Sequence, residues 1–291
     1  LKHLLCHLGP HDSAAVVILG DLHVGDTFAR ERFFALRAWL LAAPNRFCAV
    51  NGDILNAATS AGPELPTEQR ERTTAQIVEA RDLFRPLVQA PGPGATVEVS
   101  GGRRTVHPGR LLAWNDGNHE RRLVKAADII PGQLLCEMLE VPEIYGGVDA
   151  GDYGYTVHLD LRVGANRHGR PNGYRALLCH GWGGGRTVGA ALNKVAEMQS
   201  VYPNCDFYAQ SHAHGAGVIE RAEWRYDERT HRGRLRPYWL IVTAAVSEWG
   251  GFEESRMFRP GGAAMPYLAV GGGEEWAEVA WLGKREGVRA A

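Results

Sequence analysis

Five short apolar runs in this chain each stop at a cluster of Asp, Asn or His, and that repeated junction limits what the chain can fold into. Ala14 to Leu19 ends in Gly20-Asp21-Leu22-His23, and Phe47 to Val50 runs into Asn51-Gly52-Asp53. Leu111 to Trp114 is followed by Asp116-Gly117-Asn118-His119-Glu120, Tyr174 to Cys179 by His180, and Cys205 to Ala209 by Ser211-His212-Ala213-His214. Runs of this length and composition predict buried strands. Between them lie helical patterns over Phe28 to Leu41, Thr67 to Val88, Arg121 to Glu140 (broken at Pro131-Gly132) and Thr187 to Val201. Strands alternating with helices predict an α/β core. Ligands of open α/β sheets bind outside the carboxyl ends of the strands, so five loops far apart in sequence are expected to converge.

The remaining chain is read as one domain, 1–291, with an inserted hairpin at 95–110 around Gly101-Gly102 and a C-terminal β-rich part at 216–291. Tyr155 to Val163 is a further strand, Val218 to Tyr226 and Pro237 to Val246 form a hairpin, and Trp276 to Leu282 is the last strand. His3, His7 and His11 recur at a spacing of four that suits one helix face, but a disordered terminus is the preferred reading.

Charge excludes some partners. With 32 Lys+Arg against 33 Asp+Glu, the surface as a whole does not attract polyanions, so any such binding must be local. The five cysteines are far apart with no CxxC pair, and they read as reduced core residues of a cytoplasmic protein. No apolar run approaches the roughly 20 residues of a membrane span, and no signal-peptide pattern precedes the first apolar run. A Walker loop, a GxSxG elbow and a GxGxxG after a strand are all missing, which leaves nucleotide-cradling loops and serine nucleophiles without support.

Asp-x-His and His-x-His are common by chance; Gly-Asn-His-Glu is far rarer, and the five clusters occur in one order at strand ends. Taken together, Asp21-Leu22-His23, Gly52-Asp53, Gly117-Asn118-His119-Glu120, His180 and Ser211-His212-Ala213-His214 resemble the calcineurin-like metallophosphoesterase superfamily over about two thirds of the chain. That resemblance implies a four-layer α/β/β/α sandwich of two mixed sheets with a dinuclear metal site. It implies that Asp21, His23 and His214 hold one metal, that Asn118, His180 and His212 hold the other, that Asp53 bridges them, and that His119 acts on the substrate oxygen. Oxygen and nitrogen ligands without thiolate suit two borderline divalent ions, Mn²⁺ in first place, then Fe²⁺, Zn²⁺, Co²⁺ or Ni²⁺. Two such ions outweigh two carboxylates and a hydroxide, leaving a positive site for a phosphate.

The implied activity is hydrolysis of a phosphoester by metal-activated hydroxide, with a nucleotide or nucleic acid as the expected partner. Asp53 is followed by Ile54-Leu55-Asn56 where the protein phosphatase branch has Val-Asp-Arg-Gly, and Asp-Leu-His-Val-Gly is closer to the bacterial, phage and repair-nuclease branches. A phosphodiesterase or nuclease is therefore expected first, a phosphomonoesterase second, and an inactive metal-binding scaffold last. Ser211 departs from the Gly usual before the His pair.

Weaker candidates surround these. In the loop 181–186, Trp182 could stack on a base and Arg186 clamp a phosphate, or the loop could be a turn with Trp182 packed inward. Arg121 and its neighbour Arg122 could reach substrate or merely start an exposed helix. The six arginines from Arg221 to Arg236 look like a nucleic-acid strip, but Glu220, Glu223, Asp227 and Glu228 nearly cancel them, and a solvated hairpin is preferred.

Overall fold

The computed structural model describes residues 2–60, 67, 69–99, 104–146, 156–181, 187–227, 231–248 and 264–283. Two apolar strands open the order, β1 (Lys2–His7) and β2 (Ser13–Leu19), then α1 (Arg30–Leu41), β3 (Arg46–Asn51) and α2 (Thr73–Val88). β4 (Thr96–Val99), β5 (Arg104–Val106) and β6 (Leu111–Asn115) lead into α3 (Glu120–Ala127) and α4 (Pro131–Met138). The second half holds β7 (Thr156–Val163), β8 (Asn172–Cys179), α5 (Val188–Val201), β9 (Phe207–Gln210), β10 (Gly217–Asp227), β11 (Arg232–Val242), β12 (Met265–Gly271) and β13 (Ala277–Leu282).

Among the described residues thirteen strands divide into two mixed sheets, ordered β10-β11-β9-β8-β7-β1-β4-β5 and β13-β12-β2-β3-β6. In the smaller sheet β2, β3 and β6 are parallel, with Leu19 opposite Val50 and Asn51 opposite Asn115. In the larger sheet β8 and β9 are parallel, with Cys179 opposite Gln210. Parallel neighbours in register finish at the same level, which is why the five polar clusters meet. Alternation along β8 decides the layering. Tyr174, Ala176 and Leu178 join the main core shared with the smaller sheet, while Leu177 and Cys179 pack with Val195 and Met198 of α5 on the outside. Helix α2 contacts both α1 and α4, α1 contacts β3 and α4 contacts β6, which completes the helix, sheet, sheet, helix order. Phe33, Phe84 and Trp114 carry the main core across the helix-covered side, with rings 5.4 and 4.8 Å apart. All five cysteines are buried free thiols, and among the described residues no helix is long and apolar enough to cross a membrane.

The N-terminus corrects a sequence expectation. Residues 2–7 are not a disordered tail: β1 lies parallel to β7 and antiparallel to β4, inside the larger sheet. The relevant period is two, not four. Leu4 and Cys6 point into the core, while His3 lies against the ring of His158 at 4.7 Å and His7 meets Glu98 at 3.1 Å. The hairpin expected at 95–110 is β4 with β5, and it extends the larger sheet beyond β1. Strand β12, unforeseen, contains Pro266, which ordinarily argues against a strand; it nonetheless pairs with β13 and β2. Helix α2 starts six residues later than expected, at Thr73.

Because Leu4 is fully buried, Leu4→Ala should destabilise the protein by about 2–5 kcal/mol in urea unfolding. A free tail would show a change within about 0.5 kcal/mol.

Candidate metal centre

Three of the five clusters hold residues in a backbone conformation that few residues accept. Asp21, His23, Asp53, His212 and His214 all have positive φ, between 51° and 67°. Left-handed backbone at a non-glycine residue costs of order 1–3 kcal/mol and persists where the surroundings over-determine it. Here the surroundings are hydrogen bonds between the first two loops: the amides of Asp21, Leu22 and His23 donate to the carbonyls of Gly52, Asp53 and Asp53 at 3.0, 2.9 and 3.1 Å. Between them Gly52, at φ +88°, must be glycine, since a Cβ there would lie 2.5 Å from His180 Nδ1 and 2.7 Å from Gly117 Cα.

The side chains converge. The residues form three donor groups, Asp21-His23-His214, His23-Asp53-His119 and Asp53-His180-His212, and within each group the ligand atoms lie within 4.8 Å of one another. His23 Nε2 is 3.2 Å from His214 Nε2, and His214 Nε2 is 3.6 Å from Asp21 Oδ1. On the other side His180 Nε2 is 3.1 Å from Asp53 Oδ2 and 3.2 Å from Asn118 Oδ1. All seven residues expected as metal ligands are thus in one cluster. Asp21 and His180 are fully buried and Asp53 is almost so.

Burial and charge act in opposite directions on these groups. Burial raises the Asp21 carboxyl above its usual range. Burial would do the same to Asp53, but His180, His119 and His23 hold it well below. His180 shows the reverse balance: burial disfavours its charge, yet Asp53 raises its pKa to about 10. Burial pushes His23 far down, aided by His119 and His214, and pushes His212 down as well. His23 and His212 are thereby held neutral, the form in which an imidazole binds a divalent ion, whereas His180 carries a proton that such an ion would have to displace. Asp21 Oδ1 and His23 Nδ1 are buried without a hydrogen bond among the described residues. A buried carboxylate oxygen left this way is an open valence for a cation. The donor set and this oxygen fit a divalent metal.

His119 is bound at both ring nitrogens. Its Nδ1 lies 2.6 Å from the Asn56 carbonyl, which requires a proton on Nδ1, and Arg122 Nη2 then donates to Nε2 at 2.9 Å. The guanidinium against Nε2 argues against a metal ion there, although His119 is in one of the three donor groups. Burial, with Arg122 adding to it, lowers the His119 pKa to about 4. Of the two arginines that start α3, Arg122 is buried against His119 and Arg121 is on the exposed side. Trp182 and Arg186 lie outside the described residues.

Several residues that matter here had no role assigned from sequence. Glu120 accepts from the amides of Asp53, Leu55 and Gly117 at 3.0, 2.8 and 2.9 Å, tying the second loop to the third. Burial, with Asp53 and Asp116 beside it, raises its pKa to about 8, against the amide bonds that favour the carboxylate. Asn51 donates to Cys179 O and Ser211 Oγ, each at 2.9 Å, and its own carbonyl faces His180 Nδ1 at 2.8 Å. Ser211 also accepts from Thr243 Oγ1 at 2.9 Å, so the residue that departs from the usual Gly uses its hydroxyl. The signal for Asn51 was available: a polar residue closing an apolar strand.

No protein-family model and no curated protein matches the chain. Among solved structures it is similar to the calcineurin-like phosphoesterase YfkN from Bacillus subtilis, at 8% identity, with 94% of this chain and 91% of that chain covered and a TM-score of 0.39. At that distance the likeness carries no argument, and the functional reading rests on the site's own geometry.

Glu120→Gln replaces one acceptor oxygen with a donor facing a backbone N–H. Mn²⁺ affinity, measured by titration calorimetry, should fall by about 10–100-fold, with the fold retained by circular dichroism.

Proposed function

We propose that the chain is a dinuclear metal-dependent phosphoester hydrolase acting on diesters, with nucleotides or nucleic acid as its substrate class. The observation that supports this most is the position of Asp53, one carboxylate shared by a donor group containing His23 and another containing His180 and His212. A carboxylate so placed suits a ligand common to two ions roughly 3.5–4 Å apart. Asp21, His23 and His214 would hold the first ion, Asn118, His180 and His212 the second, and Asp53 both. Mn²⁺ is the favoured ion, with Fe²⁺, Zn²⁺, Co²⁺ and Ni²⁺ compatible with the same donors. Bound there, the pair supplies Lewis acidity toward phosphoryl oxygens and lowers the pKa of water.

The protein's own part falls to the residues around the cluster. Glu120 and Asn51 fix the loops that carry Asp53 and His180, so the donors are preorganised. Asn56 fixes the tautomer of His119 and Arg122 brings a permanent positive charge against its ring. This pair is placed to stabilise negative charge developing on the substrate oxygens. Arg121, Trp182 and Arg186 are the proposed contacts to the rest of the substrate. The preference for diesters is supported by Ile54-Leu55-Asn56, which puts no cation directly after Asp53 to neutralise the second charge of a monoester.

After reconstitution with Mn²⁺, bis-p-nitrophenyl phosphate should be hydrolysed faster than p-nitrophenyl phosphate, and EDTA should abolish both reactions. A strong monoester preference would make the chain a phosphomonoesterase; inactivity with all five metals would leave a metal-binding scaffold. His119→Ala should keep its metal, read by elemental analysis, while kcat falls by roughly 10²–10⁴-fold. A parallel loss of metal would make His119 a ligand.

A further inference from the structure

The donor cluster sits at the carboxyl ends of β8 and β9, and a second cavity opens at the other end of the same strands. Its volume is about 590 Å³, and its walls come from the start of β8, the turn before β9, the far half of the β10–β11 hairpin and the β12–β13 turn. Arg175 in its wall is five residues from His180, about 16 Å along a strand at ~3.3 Å per residue, so the two sites are separate.

Five guanidinium groups face this cavity against three carboxylates. Three of the five are engaged: Arg162 with Asp160 at 2.8 Å, Arg225 with Asp206 at 2.9 Å, and Arg236 with Glu275 at 2.6 Å. The other two, Arg175 and Arg234, are exposed, and their side chains make no hydrogen bond or ion pair among the described residues. Two large rings in the same wall are left open to solvent, Trp276 at 40% and Tyr226 at 62% exposure.

These groups select a ligand class by elimination. A simple anion would satisfy the two arginines and leave the rings unused. A neutral sugar would use the rings and leave the arginines unpaired. A nucleotide unit supplies phosphate for the guanidinium groups and a planar face for Trp276 and Tyr226. We infer that this cavity binds the phosphate and base of a nucleotide unit, presented free or within a single strand. Binding here needs no metal and does not depend on the reaction proposed for the other site.

The test uses the full chain in EDTA, with fluorescence anisotropy of a labelled oligothymidylate, an abasic oligonucleotide of the same length as a comparison, and thymidine monophosphate as competitor. The oligothymidylate should bind about tenfold more tightly than the abasic strand, as expected for base stacking. The double variant Arg175→Ala/Arg234→Ala and the single variant Trp276→Leu should each weaken it by about tenfold or more. Displacement by the mononucleotide would identify free nucleotide as the source; failure to displace would identify the strand. Equal affinity for the abasic strand, full binding by the double arginine variant, or no binding at all would overturn the inference. Both arginines are exposed, so the double variant should keep the parent's melting temperature and stand as the decisive case even if Trp276→Leu fails to fold.

Discussion

The site depends most on one buried amide, that of Asn51, which helps to join the two sheets at the level where their strands end. Core packing between the sheets is non-directional, and it can press them together without fixing their offset. Asn51 fixes it. Its side chain donates across the interface to Cys179 O and Ser211 Oγ and accepts from Asn115 Nδ2 at 3.2 Å, while its carbonyl holds the His180 ring. All these groups are buried, where hydrogen bonds are stronger and an unmade one is costly. Asp21, His23, Asp53 and Asn118 come from one sheet and His180, His212 and His214 from the other. Their convergence therefore depends on an offset that Asn51 and isolated backbone bridges, such as Gly20 with Ala245, set.

Strands were legible where the chain is buried on both sides. β2, β3 and β6 read as continuous apolar runs because helices cover one face and the other sheet covers the second. β1 was not legible in this way. Its alternation of Leu4 and Cys6 with His3, Leu5 and His7 is a period of two, but regularly spaced histidines near a terminus suggested something else. Only the partners β4 and β7, far along the chain, show that a sheet waits for it. β12 was hidden for a different reason, since Pro266 near its start argues against a strand and the strand is made by pairing with β2 and β13.

The candidate site divides along the same line. Its donors were readable because metal chemistry restricts residue types, and loops after strands restrict their places. Residues that act through other residues were not readable, because a sequence does not say which amides a carboxylate will meet. Glu120 stands inside the rare Gly-Asn-His-Glu motif, yet its three amide partners lie on two different loops. Arg121 and Arg122 look equivalent in sequence, and the 100° between successive residues of a helix separates them into an exposed side chain and a buried one against His119.

Charge counting fails for a related reason. Along the segment from Glu220 to Arg236, acids and arginines nearly balance, which suggests a neutral solvated hairpin. In three dimensions the acids are not spread evenly among the arginines. Glu223 and Asp206 both fall to Arg225, and Glu275, from a distant turn, falls to Arg236. Among the described residues Arg234 makes no ion pair, and Arg175, from a strand that the segment count never included, faces the same cavity. Net charge is a sum over sequence, but attraction for a phosphate depends on which guanidinium groups have no carboxylate within reach. A balanced segment can therefore present a local cationic site, and the aromatic rings left exposed beside it decide what kind of anion that site suits.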